Sequence, residues 1–225
     1  MEDCGSGRKS AGCASDPCGA LNDQGVAAVV FGCTDLQSSA EDIFDARPGD
    51  LVTLRNPGNV CCHSGVTMAG SMEQAVEQLG TRLLLVLGHT HCLAMAQATE
   101  AAFESEEQEQ ESGHDADSKQ VPSRDAGHQD AIEGLLPVVE RARQELAEGA
   151  ARREIEARAI RMNVFSTMDK LLEQSGLLCD LVSRGALEVH GAIYDSNSGR
   201  VEFLGQSPIC SACEDCHPAF QGLDD

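Results

Sequence analysis

The sequence is poor in aromatic and basic residues. It has no tryptophan, one tyrosine and six phenylalanines, and 16 basic residues stand against 37 acidic ones, which gives a formal net charge of −21 over 225 residues. An acidic surface repels phosphate backbones and anionic lipid headgroups, and few rings are available to stack on bases. We therefore expect neither nucleic acid nor a membrane surface as a partner.

A long hydrophobic run is also missing. No stretch of 18 apolar residues occurs, and such a stretch is what a transmembrane helix needs. The first residues, Met-Glu-Asp-Cys-Gly, lack the basic and then apolar regions of a secretory signal. The expected location is the cytoplasm, or an organelle if a leader has been removed.

Cysteine, in contrast, is abundant. Eleven cysteines cannot all form pairs, and without a secretory signal metal ligands and free thiols are better explanations than a disulfide framework. The last part of the chain contains Cys210, Cys213, Cys216 and His217. Their spacing leaves three alternatives open, namely covalent haem attachment, a zinc site separate from the one described below, or a redox-sensitive tail.

Hydrophobic patterning predicts strands that alternate with helices. Apolar runs predict strands at 26–31, 50–54, 83–87, 187–193 and 200–204; helical patterns cover 40–46, a segment that opens at Ser71, and 132–174 with an interruption near Pro137 and a C-cap at Gly176. Strands separated by helices favour an α/β fold with a mostly parallel central sheet flanked by helices.

Composition divides the chain into three parts. Residues 1–20 are predicted to be a loose N-terminal arm, 21–205 a single domain, and 206–225 a cysteine-rich C-terminal tail. Within the domain, glutamate, glutamine, aspartate and serine dominate residues 104–130. This composition predicts an acidic loop insertion.

Four residues that can bind a metal follow two of the predicted strands. Cys33 and Asp35 come after the first strand, and His89 and Cys92 after the third. The carboxyl ends of neighbouring parallel strands meet at one crevice, and two thiolates with one imidazole suit zinc. Three such ligands leave a fourth position for a water whose pKa falls to about 7. A cysteine at a strand end can instead be a buried apolar residue.

Six motifs occur in an order that resembles the β-class carbonic anhydrases. They are Cys33-Thr-Asp35-Leu-Gln37, Pro48-Gly49-Asp50, Arg55-Asn56-Pro-Gly-Asn59, Ser71-Met-Glu73-Gln-Ala75-Val76, Gly88-His89-Thr-His-Cys92 and the late segment with Asn163-Val164 and Gly191-Ala-Ile-Tyr194-Asp195. The resemblance covers about Gln24 to Leu204. It implies a mostly parallel α/β fold that assembles as homodimers or larger homo-oligomers, with active sites near the dimer interface.

The resemblance also implies the reaction and its residues. Cys33, His89 and Cys92 would bind one zinc ion, and hydroxide on that zinc would convert carbon dioxide to bicarbonate. Asp35 would orient the hydroxide or become the fourth zinc ligand. Gln24 matches a glutamine that hydrogen-bonds the substrate in some members.

One departure from the family motif affects the catalytic site directly. The family has an arginine two residues after the aspartate, where it holds the aspartate away from the metal, and this chain has Gln37. Gln37 can donate a hydrogen bond but carries no charge. We therefore expect Asp35 to coordinate zinc more readily, with a lower or more pH-sensitive activity. Leu93 replaces a usual glycine and is expected to crowd the backbone.

These departures leave other functions open. The chain could be a non-catalytic or regulatory zinc-binding relative, or it could hydrolyse a sulfur analogue of carbon dioxide, such as carbonyl sulfide or carbon disulfide. A thiol-based redox or metal-storage protein is a further alternative. The role of His91, between two predicted ligands, also stays open: it could support the ligands, shuttle protons or be merely exposed.

Overall fold

A five-stranded sheet organises the described part of the chain. The computed structural model describes residues 26–61, 66–111, 126–147 and 149–207. The strands are β1 (Ala28–Cys33), β2 (Leu51–Asn56), β3 (Leu83–His89), β4 (Glu188–Asp195) and β5 (Arg200–Gly205). Their order is β2-β1-β3-β4-β5, with β5 antiparallel to β4 and the other neighbours parallel.

Helices flank this sheet. They are α1 (Ala40–Phe44), α2 (Val66–Leu79), α3 (Leu93–Glu111), α4 (Ala126–Glu145), α5 (Arg152–Gln174) and α6 (Gly176–Ser183). The predicted α/β class with a mostly parallel sheet is therefore confirmed. None of the described helices combines the length and the apolar character needed to cross a membrane.

The two central strands are buried on both faces. All six residues of β1 are buried, as are all residues of β3 after Leu83. Val29 and Phe31 of β1 pack with residues of α2, α5 and α6, whereas Val30 packs in the cluster that contains α1. Burial on both faces explains the uninterrupted apolar runs. Since β1 and β3 are parallel neighbours, their carboxyl ends lie at the same edge of the sheet.

Two glycines allow α5 to lie close to that sheet. A Cβ atom at Gly88 would lie 2.8 Å from a methyl of Val164, and one at Gly191 would lie 2.7 Å from the other methyl. Neither site has room for a larger residue unless α5 moves. The close approach places α5 beside the loop that follows β2.

Helix α5 ends at Gln174 as predicted, but the predicted break near Pro137 and the predicted cap at Gly176 are wrong. Helix α4 continues through Pro137 because Leu135, Val138 and Val139 keep a continuous buried face across it. This face outweighs the backbone hydrogen bond that proline cannot donate. Gly176 does not cap α5; it begins α6, where the Ser175 hydroxyl accepts a hydrogen bond from the helix.

The acidic segment is helical at both of its ends, which corrects the prediction of a loop over 104–130. Helix α3 extends to Glu111, since glutamate and glutamine are good helix formers even without apolar neighbours. Helix α4 begins at Ala126. Residues 112–125 lie outside the described residues, as do the arm 1–20 and the tail from 208 onward. The division of the chain into arm, domain and tail stays a prediction.

The start of α2 also differs from the prediction. This helix begins at Val66, so Ser71 lies inside it and does not open it. The capping pattern of a serine with a glutamine three residues later occurs by chance within a longer helix.

Candidate metal centre

The carboxyl-terminal ends of β1 and β3 carry the predicted metal-binding residues. Cys33 is the last residue of β1, and His89 is the last residue of β3. Cys92 directly precedes α3, and Asp35 lies in the turn after β1. The structure therefore brings together four residues that are up to 59 positions apart in the sequence.

The donor atoms of these four side chains face one another. All lie within 4.8 Å of each other. The Sγ atoms of Cys33 and Cys92 are 3.8 Å apart, and His89 Nε2 is 2.9 Å from Asp35 Oδ1. Asp35 Oδ1 also contacts Cys33 Sγ and lies 3.9 Å from Cys92 Sγ. One small ion could contact all four donors.

This donor set fits zinc. Zinc binds thiolates at about 2.3 Å in a tetrahedron, which places two sulfur ligands about 3.8 Å apart. The observed distance between the two Sγ atoms is the same. Two thiols and one imidazole also favour zinc over magnesium or calcium, because those two ions bind oxygen ligands.

Access to the cluster is confined to one side. His89 and Cys92 are only 3% and 5% exposed and Cys33 is fully buried, whereas the Asp35 side chain is 26% exposed. A small molecule that reaches the cluster therefore meets the carboxylate of Asp35 first.

A backbone donor supports Cys33. The N–H of Gly58 donates to Cys33 Sγ over 3.0 Å. Gly58 has a φ of 70°, and its carbonyl accepts a hydrogen bond from Asn163 Nδ2 of α5 at 2.8 Å. The sequence does not show that Gly58 supports Cys33 or that Asn163 supports Gly58. The only sequence signal for these two residues is that each lies within a motif shared with the family.

The two thiols have opposite acidities. The hydrogen bond from Cys92 lowers the pKa of Cys33 to about 5, against the effect of burial. The pKa of Cys92 is raised because it donates that hydrogen bond and because it is buried. Cys33 is thus the more acidic of the two thiols, and both thiols must be deprotonated when a metal binds.

Asp35 and His89 form the other pair. Burial opposes the charge on each, but hydrogen bonds from Cys33, the Leu93 N–H and His89 hold the pKa of Asp35 below its usual value. Burial is likewise outweighed at His89, whose pKa is raised by its contacts with Cys33 and Asp35. The raised pKa of His89 favours its protonated form, so His89 must also give up its Nε2 proton when a metal binds.

The carboxylate is held toward the cluster. Asp35 Oδ2 accepts a hydrogen bond from the Leu93 N–H at 2.5 Å. The side chain of Leu93 is 58% exposed, so it does not crowd the backbone as expected from the sequence. Gln37 is exposed, and no hydrogen bond or ion pair joins it to Asp35 among the described residues.

Arg55 does not take the place of the missing arginine. Its guanidinium donates to the carbonyl oxygens of Leu36 and Ser38, at 2.7 and 2.8 Å. It therefore anchors the backbone on both sides of Gln37 without reaching the Asp35 carboxylate.

The remaining candidates lie elsewhere. Gln24 is outside the described residues, as are the tail residues Cys210, Cys213, Cys216 and His217. His91 is exposed and contacts Asn197.

Comparison with known proteins identifies the family. A family model described as carbonic anhydrase matches residues 28–201. The chain belongs to the carbonic anhydrase family. It is 30% identical over 175 residues to "Carbonic anhydrase 2" of Mycobacterium tuberculosis, which covers 77% of this chain and 72% of the relative. It is 31% identical over 176 residues to the carbonic anhydrase of Mycolicibacterium smegmatis, and this alignment covers 78% of this chain and 73% of the relative.

Solved carbonic anhydrases share the fold. A β-carbonic anhydrase of Aspergillus fumigatus superposes with a TM-score of 0.65 at 24% identity, over 84% of this chain and 82% of that one. One of two tetrameric β-carbonic anhydrases of Sordaria macrospora gives a TM-score of 0.62 at 22% identity, over 81% and 82%. The family match confirms the predicted β-class carbonic anhydrase family and its carbonate dehydratase class. The family match and the four-residue cluster together confirm the predicted zinc cofactor.

Proposed function

We propose that this protein catalyses the reversible hydration of carbon dioxide to bicarbonate with one zinc ion held by Cys33, His89 and Cys92. The observation that carries the proposal is the cluster of Cys33, Asp35, His89 and Cys92, whose four donor atoms lie within 4.8 Å of one another. The family to which the chain belongs supports the same reaction. Zinc, when bound, would act as a Lewis acid and lower the pKa of the water attached to it to about 7.

The protein residues divide the remaining tasks. Cys33 and Cys92 provide the negative charge that retains the metal, and Gly58 orients Cys33 through its N–H. The Nδ1–H of His89 donates to the Thr90 carbonyl at 2.9 Å, which leaves the lone pair of Nε2 free for the metal.

Asp35 controls access to the fourth position. Its Oδ1 faces the other three donors, while its Oδ2 is tied to the Leu93 N–H. In this arrangement the carboxylate would itself be the fourth ligand of a bound zinc ion, and it would have to turn outward to free that position for water. Because Asp35 is the most exposed member of the cluster, its carboxylate is our candidate for the group that passes the released proton to solvent.

Gln37 makes that outward position less stable. An arginine would hold the carboxylate by a charge-assisted pair of hydrogen bonds, which a neutral amide replaces poorly. We therefore propose that the resting site favours Asp35 as a ligand and that activity at neutral pH is reduced. Gln24 remains our candidate for a hydrogen bond to the substrate.

The assembly and location are proposals of the same kind. We propose a homodimer or larger homo-oligomer, which is supported by the likeness to tetrameric β-carbonic anhydrases and by the exposed ring of Phe203 on the edge strand β5. A cytoplasmic location stays a prediction.

Stopped-flow hydration of carbon dioxide, from about pH 6.5 to 9 and normalised to bound zinc, tests the reaction. We expect zinc-dependent turnover well above that of the buffer, and its loss in the Cys33→Ser variant. One zinc per chain without turnover on carbon dioxide contradicts the proposal. Parallel assays with carbonyl sulfide and carbon disulfide then separate a sulfur-substrate hydrolase from a non-catalytic relative.

A further inference from the structure

The loop between two of the proposed zinc ligands has an unfavourable backbone conformation. His91 lies between His89 and Cys92 with a φ of 59°. Residues with a side chain rarely adopt this left-handed conformation, and glycine adopts it readily. The conformation turns the chain sharply after β3 and directs Cys92 back toward His89. Something must therefore hold His91 in place.

The turn between β4 and β5 contacts this residue directly. Asn197 Nδ2 donates to His91 Nε2 over 2.8 Å. Asn197 is in turn fixed by its own backbone, because its N–H donates to Asp195 Oδ1 at 3.1 Å. The two partners are 106 positions apart, so the contact depends on the pairing of β3 with β4 and not on local sequence.

The same turn also holds the preceding residue. Thr90 Oγ1 donates to Asp195 Oδ1 at 3.2 Å and accepts from the Ser196 N–H at 2.9 Å. The Ser196 hydroxyl donates to the Thr90 carbonyl at 3.2 Å. That carbonyl is the acceptor of His89 Nδ1–H, so the turn orients the group that selects the tautomer of a zinc ligand.

We propose that the turn 195–198 is a positioning device for the zinc ligands and that Asn197 is its main positioning residue. By holding Thr90 and the left-handed His91, the turn presents His89 Nε2 and Cys92 Sγ to the metal in one arrangement. The inference rests on the proposed function, since it assumes that these two residues bind zinc. Outer contacts of this kind commonly change metal affinity by about 10- to 100-fold.

Zinc affinity, measured by competition with a chromophoric chelator, tests the proposal without using activity. We expect Asn197→Ala to weaken zinc binding about tenfold. Ser196→Ala should weaken it less, because the backbone N–H of residue 196 still reaches Thr90. Ser183→Ala, which removes an exposed serine hydroxyl that bonds Asp180 on α6, is the matched control and should leave affinity unchanged.

A second substitution distinguishes positioning from a general loss of structure. Glycine adopts a φ near 59° without help, so we expect the double variant His91→Gly/Asn197→Ala to regain most of the lost affinity. A merely structural role for Asn197 gives no such rescue. Thermal unfolding of each variant in excess chelator should give melting temperatures close to that of the wild type.

The possible results distinguish failure of the positioning role of Asn197 from failure of the proposed function. If wild-type protein binds zinc tightly and Asn197→Ala binds it equally well, the positioning role is wrong and the proposed function stands. Failure of the glycine rescue also contradicts the positioning role. If Cys92→Ser binds zinc as tightly as the wild type, the metal lies elsewhere and the proposed function itself is wrong.

Discussion

The two halves of the sheet are built in different ways. In the parallel half, β1 and β3 are buried on both faces and end in the residues of the metal cluster. In the β4–β5 hairpin, β5 is partly exposed, with Phe203 at 65% exposure and Glu202 in an ion pair. The buried half thus supplies the four donors of the candidate metal centre, while the turn of the hairpin supplies polar groups that hydrogen-bond Thr90 and His91.

The largest expected effect comes from replacing a proposed zinc ligand in the buried half of the sheet. Cys92→Ser removes a soft thiolate, and we expect zinc affinity and carbon dioxide hydration to fall by more than about a hundredfold, beyond the range for outer contacts. Zinc content and stopped-flow rates measure this. Cys179→Ser, in the buried part of α6, is the matched control; an equal loss there contradicts a specific role for Cys92.

The next effect is a gain of activity. Gln37→Arg restores a charged partner for Asp35, and we expect kcat at neutral pH to rise about tenfold, which corresponds to about 1.4 kcal/mol of barrier. The steady-state rate across the pH range checks this. Gln78→Arg adds the same charge on the exposed face of α2 and should have no effect. An unchanged or lower kcat in Gln37→Arg contradicts the role assigned to Gln37.

A third substitution tests the packing that joins the halves. Gly191→Ala places a methyl 2.7 Å from Val164, and we expect it to lower the free energy of unfolding by about 1–3 kcal/mol, the cost of overpacking. Denaturant unfolding measures this change. Gly176→Ala has open space around it and should be neutral or slightly stabilising. Similar destabilisation by both substitutions indicates that packing against α5 is not the cause.

The smallest effect is expected on the exposed side of the hairpin. Arg161 of α5 donates to both carboxylate oxygens of Glu202 at 2.7 Å, but both side chains are at least 36% exposed. Arg161→Ala should cost less than about 1 kcal/mol, because water screens such pairs. A loss as large as that of Gly191→Ala would show that the hairpin is anchored mainly by this ion pair.

The sequence predicts the buried half of the sheet well, for physical reasons. Strands covered on both faces need continuous apolar runs, so β1 and β3 stand out, and the residues that end them are polar. Their convergence at one edge follows from parallel pairing. Cys33 and His89 could therefore be placed together without a structure.

Other parts of the site could not be predicted in this way. The N–H of Gly58 that supports Cys33 belongs to the backbone and leaves no mark in the sequence. The contact of Asn197 with His91 joins residues 106 positions apart and depends on the register of β3 with β4. Pro137 was a misleading signal because local propensity predicted a break, whereas burial of the surrounding face decides the outcome.

X-ray absorption at the zinc edge of the wild-type protein tests the central claim most directly, namely that the cluster of Cys33, Asp35, His89 and Cys92 is the zinc site. The account predicts four ligands, two of sulfur at about 2.3 Å and two of nitrogen or oxygen at about 2.0–2.1 Å, with one sulfur lost in Cys92→Ser. A shell of three or four sulfur atoms that the Cys92→Ser substitution leaves unchanged would place the zinc at other cysteines and contradict the account.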